Sequence, residues 1–416
     1  MSEMVTSVRG MRTILGAEAQ LLERLHEIAH ELLHQFGYQP IALPLVEKTS
    51  LFKRAVGEET DVVNKEMYTF LDRNEESLTL RPEATAGVVR AMIELGQLQQ
   101  VQRLYAEGAM FRYEKPQKGR YRQFNQISVE AFGMQSPALD VELIQLAHEL
   151  FTRLGVRDKV KLELNTIGQS EERKRFAEAL VSYLTPYKNE LDEDSQRRLT
   201  TNPLRILDSK DPKTQALLEA APVLDDYLGE ESRGHFSRVC QMLDDLGISY
   251  VRNPRLVRGL DYYNHTVIEW TTDALGAQGT ITAGGRYDHL IEHLGGKSTP
   301  AAGFAFGVDR IALLWAETVG MNEEKPRVYG IAASDKQQSA LLKISQKLRE
   351  IGVSVWVQAD SQALKKQIQK ADKFGAEYAL IIGDSEQEAG VYTLKNLRTG
   401  EQQMLTSAEL INHFQA

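Results

Sequence analysis

The chain has 416 residues, of which 42% are hydrophobic, and its formal net charge is −9. This length predicts two or three domains, and the negative charge excludes a wholly basic nucleic-acid coat but not a local basic patch. Cys240 is the only cysteine, so neither an internal disulfide nor a cysteine-based zinc site is expected. Without an apolar signal core or a run of about 18 apolar residues, the sequence indicates a cytoplasmic protein with no membrane partner.

The first predicted element is a helix from Ala17 to Phe36, in which apolar residues recur at helical spacing before Gly37. His26, His30 and His34 fall on one face of this helix. Their spacing could bind a metal ion. Because no acidic zincin signature accompanies them, a solvated or packed helix face is the favoured interpretation, and we predict no metal site.

An extended stretch with two prolines runs from Tyr38 to Phe52 and is typical of a strand at the edge of a sheet. Met67–Leu71 and Ser77–Leu80 form a predicted strand pair. A Pro-Glu-Ala-Thr stretch then leads into a helix, for which Thr85 is a candidate N-cap. Glu83 could pair with the ammonium group of a ligand or could be an ordinary acid at a helix start.

The stretch from Met110 to Gly133 combines a predicted loop, Lys-Pro-Gln-Lys-Gly-Arg, with a strand on either side. Gln126, Ser128 and Glu130 share one face of the second strand because successive side chains point to opposite faces. Several lysines and arginines surround the loop against a single acid. Cations can hold phosphate, and the Gln and Glu side chains can bind a small polar ligand. A solvated hairpin is the alternative.

Beyond the hairpin, Asp140–Leu154 predicts a helix and Val160–Asn165 predicts a strand. From Ser170 to about Leu246, charged helical segments alternate with polar turns, which indicates a helical insertion. The pattern alone does not distinguish a functional insertion from a simple extension of the fold.

Two later stretches carry candidate binding residues. Leu256–Trp270 places Arg258, Tyr262 and Tyr263 in a turn before a strand, and a guanidinium beside two phenols suits an anionic, aromatic ligand. Any loop rich in Arg and Tyr would look similar. In Ile281–Gly296 a glycine pair allows a ligand to approach the backbone closely.

The stretch Thr299–Leu314 predicts a strand that leads into a helix with Arg310 one turn in. Guanidinium planes stack on purine rings, although a packed, glycine-bearing helix explains the pattern equally well.

Met321–Arg327 has the composition of a linker. Strands and helices alternate beyond it, including a helix expected from Ser361, and predict an α/β domain. Residues 325–416 include more basic than acidic side chains, which suits a polyanion partner but could also arise by chance.

Together these stretches resemble class II aminoacyl-tRNA synthetases, in the form of the bacterial-type histidyl-tRNA synthetase family. The run Phe-Arg-Tyr-Glu-Lys-Pro-Gln-Lys-Gly-Arg-Tyr-Arg-Gln-Phe, residues 111–124, is similar to motif 2. Tyr38–Phe52 resembles motif 1, and Thr299–Leu314 resembles motif 3. The run Arg-Gly-Leu-Asp-Tyr-Tyr, residues 258–263, and Ile281–Gly296 resemble the two histidine-specific motifs. The similarity extends over nearly the whole chain.

The resemblance implies an α+β fold: a class II antiparallel sheet flanked by helices, with a helical insertion and a C-terminal α/β anticodon-binding domain. The catalytic domain would span residues 1–325, with the insertion at 170–250 covering the tRNA acceptor stem. The anticodon-binding domain would span 326–416. The motif 1 resemblance implies a homodimer. The implied activity converts L-histidine and ATP, with Mg²⁺, into histidyl-adenylate and then transfers histidine to the 3′ end of tRNA-His.

The resemblance also assigns roles to individual residues. Arg112 and Arg258 would be catalytic, with Arg112 at the α-phosphate and Arg258 between that phosphate and the histidine carboxylate. ATP would bind Arg112 and Arg310. The histidine-binding residues would be Glu83, Ala84, Thr85, Gln126, Glu130, Arg258, Tyr262 and Tyr263. Glu130 and Tyr263 would read the two imidazole nitrogens, because imidazole carries one donor and one acceptor. The tRNA would meet Lys115, Gln117 and Arg122.

Four positions depart from the family pattern: Ala84 stands for Gly, Lys115 for Arg, Asp309 for Glu, and His289 for a frequent Gly. Two alternatives are also considered. A synthetase-like regulatory subunit that binds histidine without charging tRNA would lack both the Arg-Gly-Leu-Asp-Tyr-Tyr run and the C-terminal domain, and this chain has both. A class II synthetase for another amino acid would carry zinc ligands or different pocket motifs.

Overall fold

The structure is a computed structural model that describes residues 4–276, 279–359 and 363–415. Its contacts divide the chain into two compact units, Met1–Met321 and Asn322–Ala416. The sequence-based boundary between residues 325 and 326 falls slightly later, and the function assigned to each side of it stays a prediction. Within the described ranges, no helix combines the length and apolar character that crossing a membrane requires.

The strands of the first unit are β1 (Gln39–Pro40), β2 (Val46–Lys48), β3 (Tyr68–Leu71), β4 (Ser77–Leu80), β5 (Gln102–Phe111), β6 (Gln123–Phe132), β7 (Lys161–Thr166), β8 (Val251–Arg252), β9 (Asn264–Thr271), β10 (Thr280–Arg286) and β11 (Ala301–Gly307). Eight of them form one sheet in the order β1-β5-β6-β11-β10-β9-β7-β8. Its pairs are antiparallel except β1 with β5 and β7 with β8. A smaller antiparallel sheet has the order β2-β4-β3.

The helices of the first unit are α1 (Ala17–Gln35), α2 (Thr49–Val56), α3 (Thr85–Glu94), α4 (Pro137–Arg153), α5 (Ser170–Leu184), α6 (Glu193–Thr201), α7 (Pro212–Leu218), α8 (Glu230–Asp245), α9 (Leu290–His293) and α10 (Val308–Val319). Short π or 3-10 segments lie at Val62–Glu66, Arg157–Lys159, Thr185–Glu190, Pro203–Asp208 and Leu224–Tyr227. Helix α1 buries Leu25, Ala29 and Leu32, which are spaced three or four residues apart. The predicted first helix is confirmed.

The predicted hairpin of β5 and β6 is confirmed, with its connection at residues 112–122. Strand β6 lies between β5 and β11, so it has hydrogen-bonded neighbours on both edges. This central position explains why Ile127–Phe132 is buried. It also holds the polar face of Gln126, Ser128 and Glu130 in one fixed place on the sheet.

The segment between β7 and β8 is helical, as predicted, and contains α5, α6, α7 and α8. Strands β7 and β8 are parallel neighbours, so a long connection must carry the chain back to the same end of the sheet. Phe176, Leu180, Leu199 and Ile206 of the insertion belong to a buried apolar cluster that also includes residues of α2, α3 and β5.

The second unit contains β12 (Val328–Ala332), β13 (Val355–Val357), β14 (Tyr378–Ile382), β15 (Val391–Asn396) and β16 (Gln402–Thr406), with helices α11 (Gln338–Glu350), α12 (Leu364–Phe374), α13 (Asp384–Ala389) and α14 (Ser407–Gln415). A short 3-10 segment, Asp335–Gln337, precedes α11. The sheet order is β13-β12-β14-β15-β16. The expected start of the second helix at Ser361 lies outside the described residues. The predicted fold class, a helix-flanked antiparallel sheet followed by an α/β domain, is confirmed.

Candidate active site

A cavity of about 280 Å³ opens on the face of the main sheet where β6, β9, β10 and β11 lie side by side. Most of the predicted ligand-binding residues line it, namely Glu83, Ala84, Thr85, Arg112, Gln126, Arg258, Tyr262, Tyr263 and Arg310. The cavity wall does not include Glu130 or the predicted tRNA-binding residues Lys115, Gln117 and Arg122. Residues that lie far apart in the chain therefore converge on one hollow.

Two of the cavity arginines are anchored by main-chain carbonyl groups. Arg112 Nε donates to the Pro82 carbonyl oxygen at 2.9 Å. Arg310 Nε donates to the Gly119 carbonyl oxygen at 2.9 Å, and its Nη1 donates to that of Thr280. Carbonyl groups orient a guanidinium without cancelling its charge, and each guanidinium has five N–H donors. Both side chains therefore keep charge and donors for an anionic ligand.

Arg258 differs from these two arginines because it has a carboxylate neighbour. Its Nη1 lies 3.4 Å from Glu269 Oε1. Burial lowers the pKa of Arg258, but Glu269, Tyr263, Asp208 and Tyr262 together outweigh that effect and the pKa is raised. Among the described residues, its Nε is buried without a hydrogen-bond partner. An unmade bond of this kind is costly in a folded protein, and a bound carboxylate or phosphate oxygen would satisfy it.

Glu83 lies two residues before the first residue of α3 and lines the cavity. Its carboxylate accepts hydrogen bonds from the backbone N–H groups of Thr85 at 2.7 Å and Ala86 at 2.9 Å. The N-cap position itself is Ala84, which has no side-chain cap, so the prediction that Thr85 caps this helix is wrong. Glu83 satisfies the free N–H groups instead, and the Thr85 hydroxyl is left for another partner. Burial raises the pKa of Glu83 against these bonds.

That partner is Glu130, which lies beneath the cavity and is 1% exposed. Its Oε1 accepts a 2.6 Å hydrogen bond from the Thr85 hydroxyl, and its Oε2 accepts one from the Tyr287 hydroxyl. Gly303 lies opposite Glu130 in the sheet, and a Cβ atom at Gly303 would come within 1.9 Å of Oε2. Burial raises the pKa of Glu130 to about 8. Only glycine leaves room for this carboxylate.

Tyr262 and Tyr263 line the cavity wall beside this carboxylate. Both are 6% exposed, and their ring centroids are 4.6 Å apart. Burial raises the pKa of both phenols, so each keeps its proton at neutral pH. The structure therefore presents neutral hydroxyl groups, including that of Tyr287, on the side of the cavity above Glu130.

The departure at Asp309 is accommodated at the start of α10. Its Oδ2 accepts a 2.6 Å hydrogen bond from the backbone N–H of Asn125, and its Oδ1 lies 3.5 Å from Arg12 Nη2. The Arg12 guanidinium lies 3.8 Å from the centre of the Tyr121 ring. The aspartate thus ties α10 to β6 near Arg310.

The predicted tRNA-binding residues lie on the outer side of the β5–β6 loop. Lys115 and Gln117 are exposed. Arg122 Nε donates to the Glu114 carbonyl oxygen at 3.2 Å, and its guanidinium stacks 3.7 Å from the Tyr113 ring centre. Lys115 and Gln117 therefore face solvent, whereas Arg122 stiffens the loop.

The histidine face of α1 contacts a single carboxylate. Glu107 Oε2 lies 3.2 Å from His26 Nδ1 and 2.6 Å from His30 Nε2, and one donor atom from each of the three residues falls within 4.8 Å of the others. His34 instead lies 3.4 Å from the Tyr105 hydroxyl. The carboxylate can accept a hydrogen bond from each imidazole, so the contacts are complete without an ion, and the absence of a metal site stays a prediction.

The sequence-based selection omitted several cavity residues. Tyr287 lies within Ile281–Gly296 and Glu269 within Leu256–Trp270, the two stretches singled out for the histidine-specific motifs, but neither received a role. The signal available for Glu269 was its strand position, which the register places opposite Ala283 of β10. Glu114 and Arg120 also line the cavity and form an ion pair with each other.

Comparison with known proteins agrees with this geometry. A family model described as histidyl-tRNA synthetase matches residues 10–311, and one described as an anticodon-binding domain matches residues 327–416. The crystal structure of apo S. aureus histidyl-tRNA synthetase is 36% identical, with a TM-score of 0.82 over 99% of this chain and 100% of that chain.

Two further solved structures share the fold. Histidyl-tRNA synthetase from Nostoc sp. PCC 7120 is 21% identical, with a TM-score of 0.71 over 99% of both chains. A protein titled ATP phosphoribosyltransferase regulatory subunit/histidyl-tRNA synthetase, from Bacillus halodurans C, is 19% identical, with a TM-score of 0.67 over 92% of this chain and 99% of that chain. At these identities the likeness concerns the fold alone. The family match across most of the sequence and the 36% identical structure show that the chain belongs to the histidyl-tRNA synthetase family of aminoacyl-tRNA ligases.

Proposed function

We propose that the cavity activates L-histidine with ATP to form histidyl-adenylate, and that the enzyme then transfers histidine to the 3′ end of tRNA-His. The observation that carries the proposal is the convergence of Arg112, Arg258 and Arg310 with two phenols on one hollow of the sheet, with the buried Glu130 beneath it. The regulatory alternative is disfavoured because the C-terminal segment matches an anticodon-binding domain.

In the first step the histidine carboxylate attacks the α-phosphorus of ATP, and pyrophosphate leaves. Two anions must approach each other, so positioned positive charge supplies most of the catalysis. Arg112 would hold the α-phosphate, and Arg310 would hold the triphosphate and stack on the purine. Arg258, with its unpaired Nε, would bridge the α-phosphate and the histidine carboxylate.

In the second step the terminal ribose hydroxyl of the tRNA attacks the activated carbonyl and AMP leaves. Neither step uses a protein nucleophile.

The histidine side of the cavity would recognise both ends of the amino acid. Glu83 and Thr85 would hold its ammonium group, supported by Gln126 and Tyr262. Tyr263 and Glu130 would read the imidazole, which has one donor and one acceptor. Each oxygen of the Glu130 carboxyl group accepts one hydrogen bond from a protein hydroxyl, and the group keeps further hydrogen-bonding positions for the imidazole. An amino acid without the matching donor would leave buried polar groups unpaired, which is the basis of rejection.

Magnesium would enter as part of the ATP substrate. Mg²⁺ prefers a few carboxylates combined with phosphate oxygens. Glu269 is the cavity carboxylate beside Arg258, and we assign it to the ion. Glu114 and Arg120, which form an ion pair with each other, would contact the nucleotide from the β5–β6 loop.

The exposed side chains of Lys115 and Gln117, with Arg122 behind them, would meet the acceptor end of the tRNA.

We also infer a homodimer in the cytoplasm. The small β2-β4-β3 sheet supports dimerisation because Phe70 is 44% exposed and Leu71 is 65% exposed on its outer strand, and large apolar side chains grouped in this way indicate a contact surface. Light scattering of the purified protein measures its mass in solution.

The deciding experiment is ATP–pyrophosphate exchange with each of the twenty amino acids, followed by aminoacylation of total tRNA. Exchange that depends on histidine alone, and charging of a single tRNA species, are the expected results. Exchange with a different amino acid, or histidine binding without exchange, would overturn the proposal.

A further inference from the structure

The loop Leu256–Tyr263, which we call the substrate loop, has no regular secondary structure between β8 and β9. Arg258, Tyr262 and Tyr263 project from it into the cavity. A loop of this kind has few sheet hydrogen bonds to fix its shape, yet its backbone groups still need partners. The geometry of the cavity therefore depends on whatever holds the back of the loop.

Side chains from other elements satisfy the carbonyl groups of the substrate loop. Asn165 Nδ2 of β7 donates to the Leu256 carbonyl oxygen at 3.0 Å. Arg205 Nη1 donates to that of Arg258 at 3.2 Å. Arg173 Nη1 donates to that of Tyr263. The two loop residues whose carbonyl groups accept these arginine hydrogen bonds, Arg258 and Tyr263, both line the cavity.

The side chain of Asp261, in the same loop, accepts a 3.0 Å hydrogen bond from Asn202 Nδ2. Three of these donors, Arg173, Asn202 and Arg205, belong to the helical insertion. Arg173 lies on α5, whereas Asn202 and Arg205 lie at and within the 3-10 segment Pro203–Asp208. The insertion therefore contacts the substrate loop at three separate positions.

Apolar packing fills only part of the space behind the loop, where Leu256 and Tyr263 share a buried cluster with Phe176 of the insertion. A second cavity of about 220 Å³ lies between the substrate loop and the insertion, and its lining includes Arg173, Asn202, Arg205, Val257 and Leu260. Core side chains normally interdigitate with few voids. Where this cavity leaves the loop without packing partners, its polar contacts hold it in place, so the loss of one contact is expected to shift the loop.

Gly259 shows how closely one contact is fitted. A Cβ atom at this position would lie 2.9 Å from Arg205 Nη1. The glycine therefore allows the guanidinium to reach the neighbouring Arg258 carbonyl group. A methyl group here would push against the same contact from the loop side.

We propose that the helical insertion positions the substrate loop for histidine binding through Arg173, Asn202 and Arg205, and so serves amino-acid activation before any tRNA is bound. This inference rests on the proposed histidine activation. It makes these three residues positioning residues, because they act through Arg258, Asp261 and Tyr263 without touching the substrate.

The test is ATP–pyrophosphate exchange by the full chain without tRNA, with KM measured separately for histidine and ATP. Arg205→Gln is expected to raise KM for histidine about tenfold or more, because a hydrogen bond from a charged donor is lost. Its KM for ATP stays within about twofold, since Arg112 and Arg310 have their own anchors. Arg205→Lys recovers part of the loss. Unchanged histidine KM in Arg205→Gln would overturn the proposal.

Arg175→Gln is the matched control. Arg175 lies on the same helix as Arg173, and its Nη2 donates to the Tyr227 carbonyl oxygen at 2.9 Å, within the insertion. It loses the same kind of bond without touching the substrate loop, so its histidine KM stays at the wild-type value. Equal effects in Arg175→Gln and Arg205→Gln would contradict the inference, because any damage to the insertion would then suffice.

If Arg205→Gln does not fold, Gly259→Ala tests the same contact from the opposite side. A selective rise in histidine KM supports the inference, and an unchanged value overturns it. The wild-type protein distinguishes a failure of the proposed function from a failure of the role given to the insertion. Absence of histidine-dependent exchange in the wild type refutes the proposed function. Normal wild-type exchange with variants that match the control refutes only the role of the insertion.

Discussion

The two ends of the cavity are built around opposite kinds of group, guanidinium groups at one and a buried carboxyl group at the other, and neutral partners hold these groups at both ends. At what we call the arginine end, carbonyl oxygens of Pro82, Gly119 and Thr280 accept hydrogen bonds from Arg112 and Arg310. At the imidazole end, the hydroxyl groups of Thr85 and Tyr287 donate to Glu130. A neutral partner orients each guanidinium or carboxyl group without forming an ion pair with it, and so leaves its remaining hydrogen-bonding positions for the substrate.

Arg258 is the exception, because it has Glu269 as a charged neighbour. An ion pair inside the site would partly cancel the charge that the reaction needs. The contact is long, at 3.4 Å, and Nε remains unpaired. This difference suggests that Arg258 changes partner when ligands bind, whereas Arg112 and Arg310 keep theirs.

The largest expected effect comes from Arg258→Ala, which removes the cation between the two reacting anions. Loss of one preorganised electrostatic contact typically lowers kcat by about 10²–10³-fold, and we expect pyrophosphate exchange to fall by at least that much. Thermal unfolding should be little changed. Near-normal exchange would remove Arg258 from the mechanism. Arg153→Ala, which affects an arginine paired with Glu149 on α4, is the control.

Glu130→Gln tests the imidazole end alone. The amide keeps the size of the side chain but changes its hydrogen-bonding pattern, so kcat/KM for histidine should fall about 10²-fold. Binding of ATP should change by less than about threefold, because the arginine end is untouched. Exchange kinetics and nucleotide titration measure the two quantities. Equal losses in both would show that the cavity does not divide into two functional ends.

The buried carboxyl also predicts a pH dependence of stability. Burial raises the pKa of Glu130 from 4.5 to about 8. Between these values the unfolded chain has released a proton that the folded protein retains, so rising pH favours unfolding. The stabilisation is complete below about pH 4.5 and is lost as pH rises to about 8, at up to ~1.4 kcal/mol per pH unit.

Glu130→Gln cannot ionise and therefore lacks this contribution. The difference in thermal unfolding between wild type and variant should shift steadily against the wild type from pH 5 to pH 8. Glu83, whose pKa is also raised by burial, is present in both proteins and largely cancels in the comparison. Parallel stability curves would show that Glu130 is already ionised in the folded protein.

Sequence patterns located the arginine end better than the imidazole end. The alternation around the β5–β6 loop and the motif resemblance placed Arg112, Arg258 and Arg310 on one cavity. Such patterns do not report what lies across a sheet, so the Tyr287 hydroxyl and the space at Gly303 emerged only from the register of β10, β11 and β6.

The start of α3 shows a local limit of sequence reasoning. Thr85 has the side chain of an N-cap, but Glu83 reaches the free N–H groups first. The Thr85 hydroxyl then binds Glu130, forty-five residues later in the chain. A long-range contact thus overrode a local preference, and only the folded arrangement reveals it.

The smallest expected effect concerns Lys115, which lies outside both ends of the cavity and is exposed. Lys115→Ala should leave pyrophosphate exchange unchanged, because neither histidine nor ATP contacts this side chain in the proposed site. If Lys115 contacts one tRNA phosphate, KM for tRNA-His should rise a few-fold at low salt, and the dependence of tRNA binding on salt should weaken by about one ion.

Lys297→Ala, which alters an exposed lysine away from the hairpin, controls for net charge. Equal salt dependence in the two variants would place the tRNA contact elsewhere. A loss of exchange in Lys115→Ala would show that the loop also shapes the cavity, through the ion pair that Glu114 forms with Arg120.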